Sequence, residues 1–148
     1  MPKELEKQFR DQIKSADTRL RDVTEEAANR EIRDVKWSGK EVLGHLIDSA
    51  LDNHQRFVRA ALDGAYEGPD YEPYGWVNLH GYGELSWRVL LEQWRSQNEL
   101  LARVVGRIPD ASLNARCRVG EAPPVTLAFL IEDYLRHMNG HVAQITGA

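Results

Sequence analysis

A chain of 148 residues, 42% hydrophobic and 28% charged, carries enough apolar material for one domain with an ordinary core and is not the composition of a disordered segment. The net charge is -4 and the positive residues are scattered, which argues against nucleic acid or an anionic membrane as a partner. One cysteine, Cys117, excludes an internal disulfide framework; with no apolar leader after Met1 and no uninterrupted apolar span, the expected location is the cytoplasm.

In chain order, Leu5, Phe9, Ile13, Ala16, Leu20, Val23 and Ala27 alternate at spacings of four and three, which predicts a first amphipathic helix. Residues 29–36 lose the pattern and read as a connection. Ser38 and Glu41 then form a capping box, preceded by Trp37, and open a second helix that stops at about Gly64. Its apolar arc is Leu43, Leu46, Ile47, Ala50, His54, Phe57, Val58 and Ala61. His54 is central to that arc. His45 points nearly opposite, in line with Asp48, Ser49, Asp52 and Arg56, so that line is either a wet face or the wall of a polar cavity between helices.

Residues 65–83 are rich in Gly, Pro and aromatics, including Tyr66, Tyr71, Tyr74, Trp76 and Tyr82, and also hold His80. A loop of this length and content reads as an aromatic plug over a bundle end or a lid over a site. A third helix is predicted over 84–106, with Trp87, Leu90, Leu91, Trp94, Leu101, Val104 and Val105 on its apolar face and Pro109 beyond its end. Residues 110–125 read as irregular. Thr126 is the expected cap of a fourth helix whose stripe is Leu127, Leu130, Ile131, Tyr134, Met138, Val142 and Ile145. Four amphipathic helices with almost no alternating strand pattern predict an all-α four-helix bundle, one domain over 1–148, with a long aromatic-rich loop between helices two and three.

The chemistry gathers on the fourth helix. His137 and His141 are one turn apart, about 40° around the axis, on the flank of the apolar stripe, with Asp133 and Gln144 along the same line. Two imidazoles so placed can reach one ion, and neutral imidazole suits Zn, Ni, Cu or Fe. A surface pair without function has the same spacing. A third ligand must come from elsewhere, and His45, His54 and His80 all remain open to it on spacing alone.

Trp37-Ser38, Glu41 and His45 followed by Leu46-Ile47-Asp48-Ser49 resemble the second helix of the DinB-like family. Asp133-Tyr134, then His137, His141, Gln144 and Ile145, resemble its fourth. The Tyr74, Trp76 and Tyr82 loop and the Trp87 and Trp94 helix are similar to one branch of that family. The likeness runs over nearly the whole chain, weakest in helix one and in residues 107–124. It implies a four-helix bundle, often a homodimer, with a divalent metal, nickel or zinc, held by His45, His137 and His141. Many relatives carry a further histidine where this chain has Gly140. The resemblance gives His54 and His80 no role.

What the resemblance implies for function is a metal-dependent enzyme acting on a small molecule, first a low-molecular-weight-thiol S-transferase of the bacillithiol or mycothiol type. In that reading Asp48 or Asp133 orients ligand imidazoles, and the loop with Tyr74 and Trp76 closes over the substrate. A metal-dependent hydrolase is the alternative; it needs a general base, for which Asp48, Asp52 and Glu132 are the candidates. A non-enzymatic, stress-associated metal-binding bundle is the third reading, supported by the lack of an evident nucleophile: Cys117 falls in an irregular segment with no activating base.

Overall fold

The computed structural model describes residues 1–147. Its frame is four long helices, α1 (Pro2–Arg21), α3 (Gly39–Asp63), α5 (Trp87–Arg107) and α6 (Leu127–Thr146). Two short ones, α2 (Glu25–Asn29) and α4 (Pro73–His80), lie in the connections. The α1 helix packs on α5 and α6, and α3 packs on the same two. Among the described residues no helix is long and apolar enough to cross a membrane.

The periodic side chains build the core as their spacing predicts. Phe9, Leu20, Leu43, Leu46, Trp94, Leu101, Ile131 and Met138 are all essentially removed from water, each contributing roughly 1.5–3 kcal/mol of transfer free energy. Phe9 stacks on Tyr134 with ring centroids 5.5 Å apart, and the Tyr134 hydroxyl donates to Asn98 at 2.5 Å. Asn98 donates in turn to the Trp94 carbonyl, so both the Tyr134 hydroxyl and the Asn98 amide are satisfied.

The ends of the long helices follow local chemistry. The Ser38 hydroxyl accepts from the Glu41 amide at 3.2 Å while the Glu41 carboxylate accepts from the Ser38 amide at 3.0 Å, the reciprocal capping box. Gly64 closes α3 in the left-handed region at φ 81°. Ser86 and Thr126 cap α5 and α6 through the amides of Val89 and Phe129.

Three expectations are corrected. The first stripe does not form one helix: the backbone leaves α1 after Arg21, and Thr24 caps the separate α2 by accepting from Ala27. The aromatic segment 65–83 is not a plain loop, because it contains β1 (Ala65–Gly68), α4 and a 3-10 turn at Tyr82–Glu84. Residues 110–125 are not all irregular either. They hold a 3-10 turn at Asp110–Asn114 and the strand β2 (Arg116–Val119), followed by β3 (Val125–Thr126). β1 pairs with β2 in parallel, Tyr66 opposite Cys117, and β2 pairs antiparallel with β3, Cys117 opposite Val125. Strands of four, four and two residues are too short to show an alternating pattern. This small sheet ties the two longest connections of the bundle together at one end, and α6 starts directly from β3.

Candidate metal centre and cleft

His45 lies in the second turn of α3, where the capping box fixes the helix start. From Gly39 to Ala50 that helix is buried at every position but Glu41, because α2, α4, α5, α6 and the 3-10 turn at Tyr82–Glu84 surround it between them. A helix enclosed on all sides has no solvent face for periodicity to find. His45 is accordingly 7% exposed, while His54, central to the apolar arc, is only half-buried and lies outside the histidine cluster.

Across from His45, α6 presents His137 and His141 from successive turns. The Nε2 atoms of His45 and His137 are 3.2 Å apart, and those of His137 and His141 are 3.1 Å apart. The three side chains offer ligand atoms that all lie within 4.8 Å of one another. Three imidazole nitrogens facing one point cannot all be satisfied by each other, since every such contact needs one N–H and one lone pair. A cation at that point is the partner that would accept all three lone pairs, and the three residues could hold a metal ion.

The surroundings favour the ligating form. Burial, with His141 and His137 alongside, lowers the His45 pKa to about 4. Desolvation and His141, against the opposing pull of Asp133, lower His137 to about 4. Both rings are therefore neutral at pH 7. The His141 Nδ1 lies 2.8 Å from the Gln144 side-chain oxygen, which can only accept. Nδ1 thus carries the proton, and the Nε2 lone pair is left to point into the cluster.

The cluster stands at one end of a cleft of about 440 Å³. Along α3 the wall is His45, Ser49, Asn53 and Arg56; along α6 it is Phe129, Leu130, Asp133, Tyr134 and His137. Tyr71 and Pro73 close one side, and Cys117, Val119 and Val125 of the small sheet close another. Of the polar line through His45, Ser49 and Arg56 belong to the cleft wall, whereas Asp48 and Asp52 do not line it. Aromatic rings pack around His45: Trp37 at 5.3 Å and Tyr71 at 6.4 Å between centroids.

The remaining expected residues are placed as follows. Asp48 is fully buried; its Oδ1 accepts from the Tyr82 hydroxyl at 2.6 Å and lies 3.1 Å from His80 Nδ1. Burial pushes its carboxyl above the usual range, against the hydrogen bond from Tyr82. Asp52 accepts from Arg56 at 2.7 Å, and desolvation raises its carboxyl too. Asp133 is exposed and pairs with Arg136 at 2.5 Å. Among the described residues no hydrogen bond joins Asp48 or Asp133 to a ring of the cluster; Gln144 makes the one that does. Glu132 is exposed.

Tyr74 is 58% exposed and packs on Trp37 at 4.9 Å, so it reaches His45 through that ring and not as cleft lining. Trp76 packs between Tyr71 at 5.0 Å and His80 at 6.2 Å. Cys117 is buried on β2, its thiol pushed up by burial. Residues whose place in the cleft was not foreseen are Tyr71, which lies in the aromatic segment, and Asn53, which shares one stripe with Ser49 and Arg56 at helical spacing.

The chain belongs to the DinB superfamily, whose family model matches residues 8–145. Its fold is similar to that of YfiT from Bacillus subtilis, described as a probable metal-dependent hydrolase with an unusual four-helix bundle topology. The TM-score is 0.84 at 17% identity, over 96% of this chain and 84% of that one. It is also similar to a mycothiol-dependent maleylpyruvate isomerase, with TM-score 0.81 at 11% identity over 98% of this chain; this chain spans 60% of that protein's length. No curated protein matches.

Proposed function

We propose that this DinB-superfamily chain is a metal-dependent enzyme that transfers or rearranges groups on a low-molecular-weight thiol, with His45, His137 and His141 as the ligands of a divalent nickel or zinc ion. The observation that carries the reading is the convergence of three imidazole nitrogens at the end of an open cleft. Three protein ligands with an accessible cavity beside them suit a catalytic site, whereas a closed structural site uses four. A bound ion would supply Lewis acidity and hold a thiol as its thiolate near neutral pH. The protein's own contributions are orientation and exclusion of water. Gln144 fixes the His141 ring, Trp37 and Tyr71 pack around His45, and Phe129 and Leu130 give an apolar wall for the electrophilic partner.

A thiol co-substrate is favoured over water on one further point. Of the carboxylates that a hydrolase would use as base, Asp48 is engaged by Tyr82 and His80, Asp52 is engaged by Arg56, and Glu132 is exposed and does not line the cleft; Cys117 offers no activated nucleophile. A hydrolase remains the alternative, in keeping with the description of YfiT. Cytoplasmic location, a single domain over 1–148 and a homodimer belong to the same reading; light scattering tests the dimer. The test of the function is titration of the cobalt(II)-loaded protein with glutathione. A thiolate-to-cobalt absorption band that saturates, and that is lost in His137→Ala, is expected. Cobalt bound without any such band overturns the thiol reading.

A further inference from the structure

The cleft wall on α3 ends, away from the histidines, in a buried arginine whose hydrogen bonding is incomplete. The Arg56 side chain is 7% exposed. Its Nη2 donates to Asp52 at 2.7 Å, its Nη1 reaches Asn53 Oδ1 only at 3.5 Å, and its Nε is buried without a partner among the described residues. Asp70, at the rim and 71% exposed, stands 3.7 Å from Nη2, which is attraction without a hydrogen bond. A guanidinium carries five N–H donors in a planar fork, and only one here has a good acceptor. Buried charge that is paired on one edge alone favours any acceptor that can enter from the other.

Tyr71 is the second donor. It lines the same cleft, and among the described residues its hydroxyl makes no hydrogen bond within the protein; only its backbone amide is engaged, by Asp70. A phenol hydroxyl that has no acceptor of its own and lines the cleft is available to donate to a ligand there. Because Arg56 bonds one turn back to Asp52, its fork stands near the level of Asp52, seven residues beyond His45. That is about 10 Å along the helix axis from the level of the histidine.

We propose that Arg56 and Tyr71 form a carboxylate subsite in the cleft, which takes an acidic group of the thiol substrate while its sulfur lies at the histidine cluster. The ligand identified is a thiol with a carboxylate about two helical turns away from its sulfur. Asp52 remains the fixed counter-ion of Arg56, so the fork is not left unpaired in the free protein. Asp70 holds the place at the rim that an incoming carboxylate contests, which gives the subsite a sign that can be tested. Loss of Arg56 weakens acidic ligands, and loss of the Asp70 charge strengthens them.

The identity of the ligand rests on the thiol reading, but the test does not. The metal-loaded protein is titrated calorimetrically with S-methylglutathione, whose sulfur is blocked, and with its diethyl ester, which lacks the carboxylates. The acid is expected to bind about tenfold more tightly than the ester. Arg56→Met should abolish that preference, Tyr71→Phe should reduce it about threefold, and Asp70→Asn should enlarge it by a similar factor. Equal binding of acid and ester, binding of neither, or a preference that survives Arg56→Met overturns the subsite. Should Arg56→Met lose its helical circular dichroism, the opposite effects of Tyr71→Phe and Asp70→Asn decide alone. Free glutathione binding no more tightly than its S-methyl form would remove the thiol reading and leave the carboxylate subsite standing.

Discussion

The Tyr82 hydroxyl donates to the Asp48 carboxylate at 2.6 Å, and the Tyr82 ring packs closely against Gly44. A β-carbon on Gly44 would lie 2.0 Å from a ring carbon of Tyr82, so the residue just before His45 must be glycine for this contact to exist. Gly44→Ala is expected to destabilise the protein by about 1–3 kcal/mol despite its better helix propensity, because it forces the ring away. Urea unfolding with a Tyr82→Leu background checks the cause. The penalty should shrink when the ring is gone.

The same contact gives a pH dependence. Burial raises the folded Asp48 pKa above its unfolded value, so the folded state holds its proton more tightly. Between the ordinary carboxylate value, about 4, and the raised one, the folded state binds more protons than the unfolded, and stability falls as pH rises through that window. Asp48→Asn removes the titration. The difference in unfolding free energy between wild type and variant should therefore change with pH only inside that window, the wild type losing ground as pH rises. A difference flat across the acid range contradicts the assignment.

Gln144 is exposed, and its one evident task is to fix the His141 tautomer. Gln144→Ala is expected to leave the helix intact and to weaken metal affinity about 10- to 100-fold, the usual effect of losing a hydrogen bond behind a ligand imidazole. Competition with a chromogenic chelator measures it, and Glu132→Ala on the same helix serves as a control without effect.

Cys117 is enclosed by the small sheet with a thiol pushed up by burial. Its reaction with an aromatic disulfide reagent at pH 8 should be at least about tenfold slower in the folded protein than in denaturant. Cys117→Ala should keep metal binding. Fast labelling of the native protein would return Cys117 to consideration as a nucleophile.

How much of this was legible before the structure depends on which physical signal each residue carried. Stripes such as Phe9, Ile13 and Leu20, the Ser38–Glu41 box and the Thr126 cap are local signals, and they form as spacing demands. The flank position of His137 and His141 was equally plain from sequence. His45 was not, because helical periodicity marks one buried arc and α3 is buried on nearly every side near its start. The sheet escaped notice because its strands are too short to alternate, and because β1 and β2 meet only after the bundle has brought residues 65 and 116 together. Tyr71 carried no signal that separated it from its aromatic neighbours, since it lies between β1 and α4 and belongs to neither periodic element.

The central claim is that His45, His137 and His141 hold one divalent ion. Elemental analysis of untagged protein measures it directly, for wild type and for His45→Ala, His137→Ala, His141→Ala and His54→Ala. Near-stoichiometric metal in wild type and in His54→Ala, lost from the other three, is the expected result. Metal retained in His45→Ala and lost in His54→Ala, or a wild type that takes up no divalent metal on reconstitution, would contradict it.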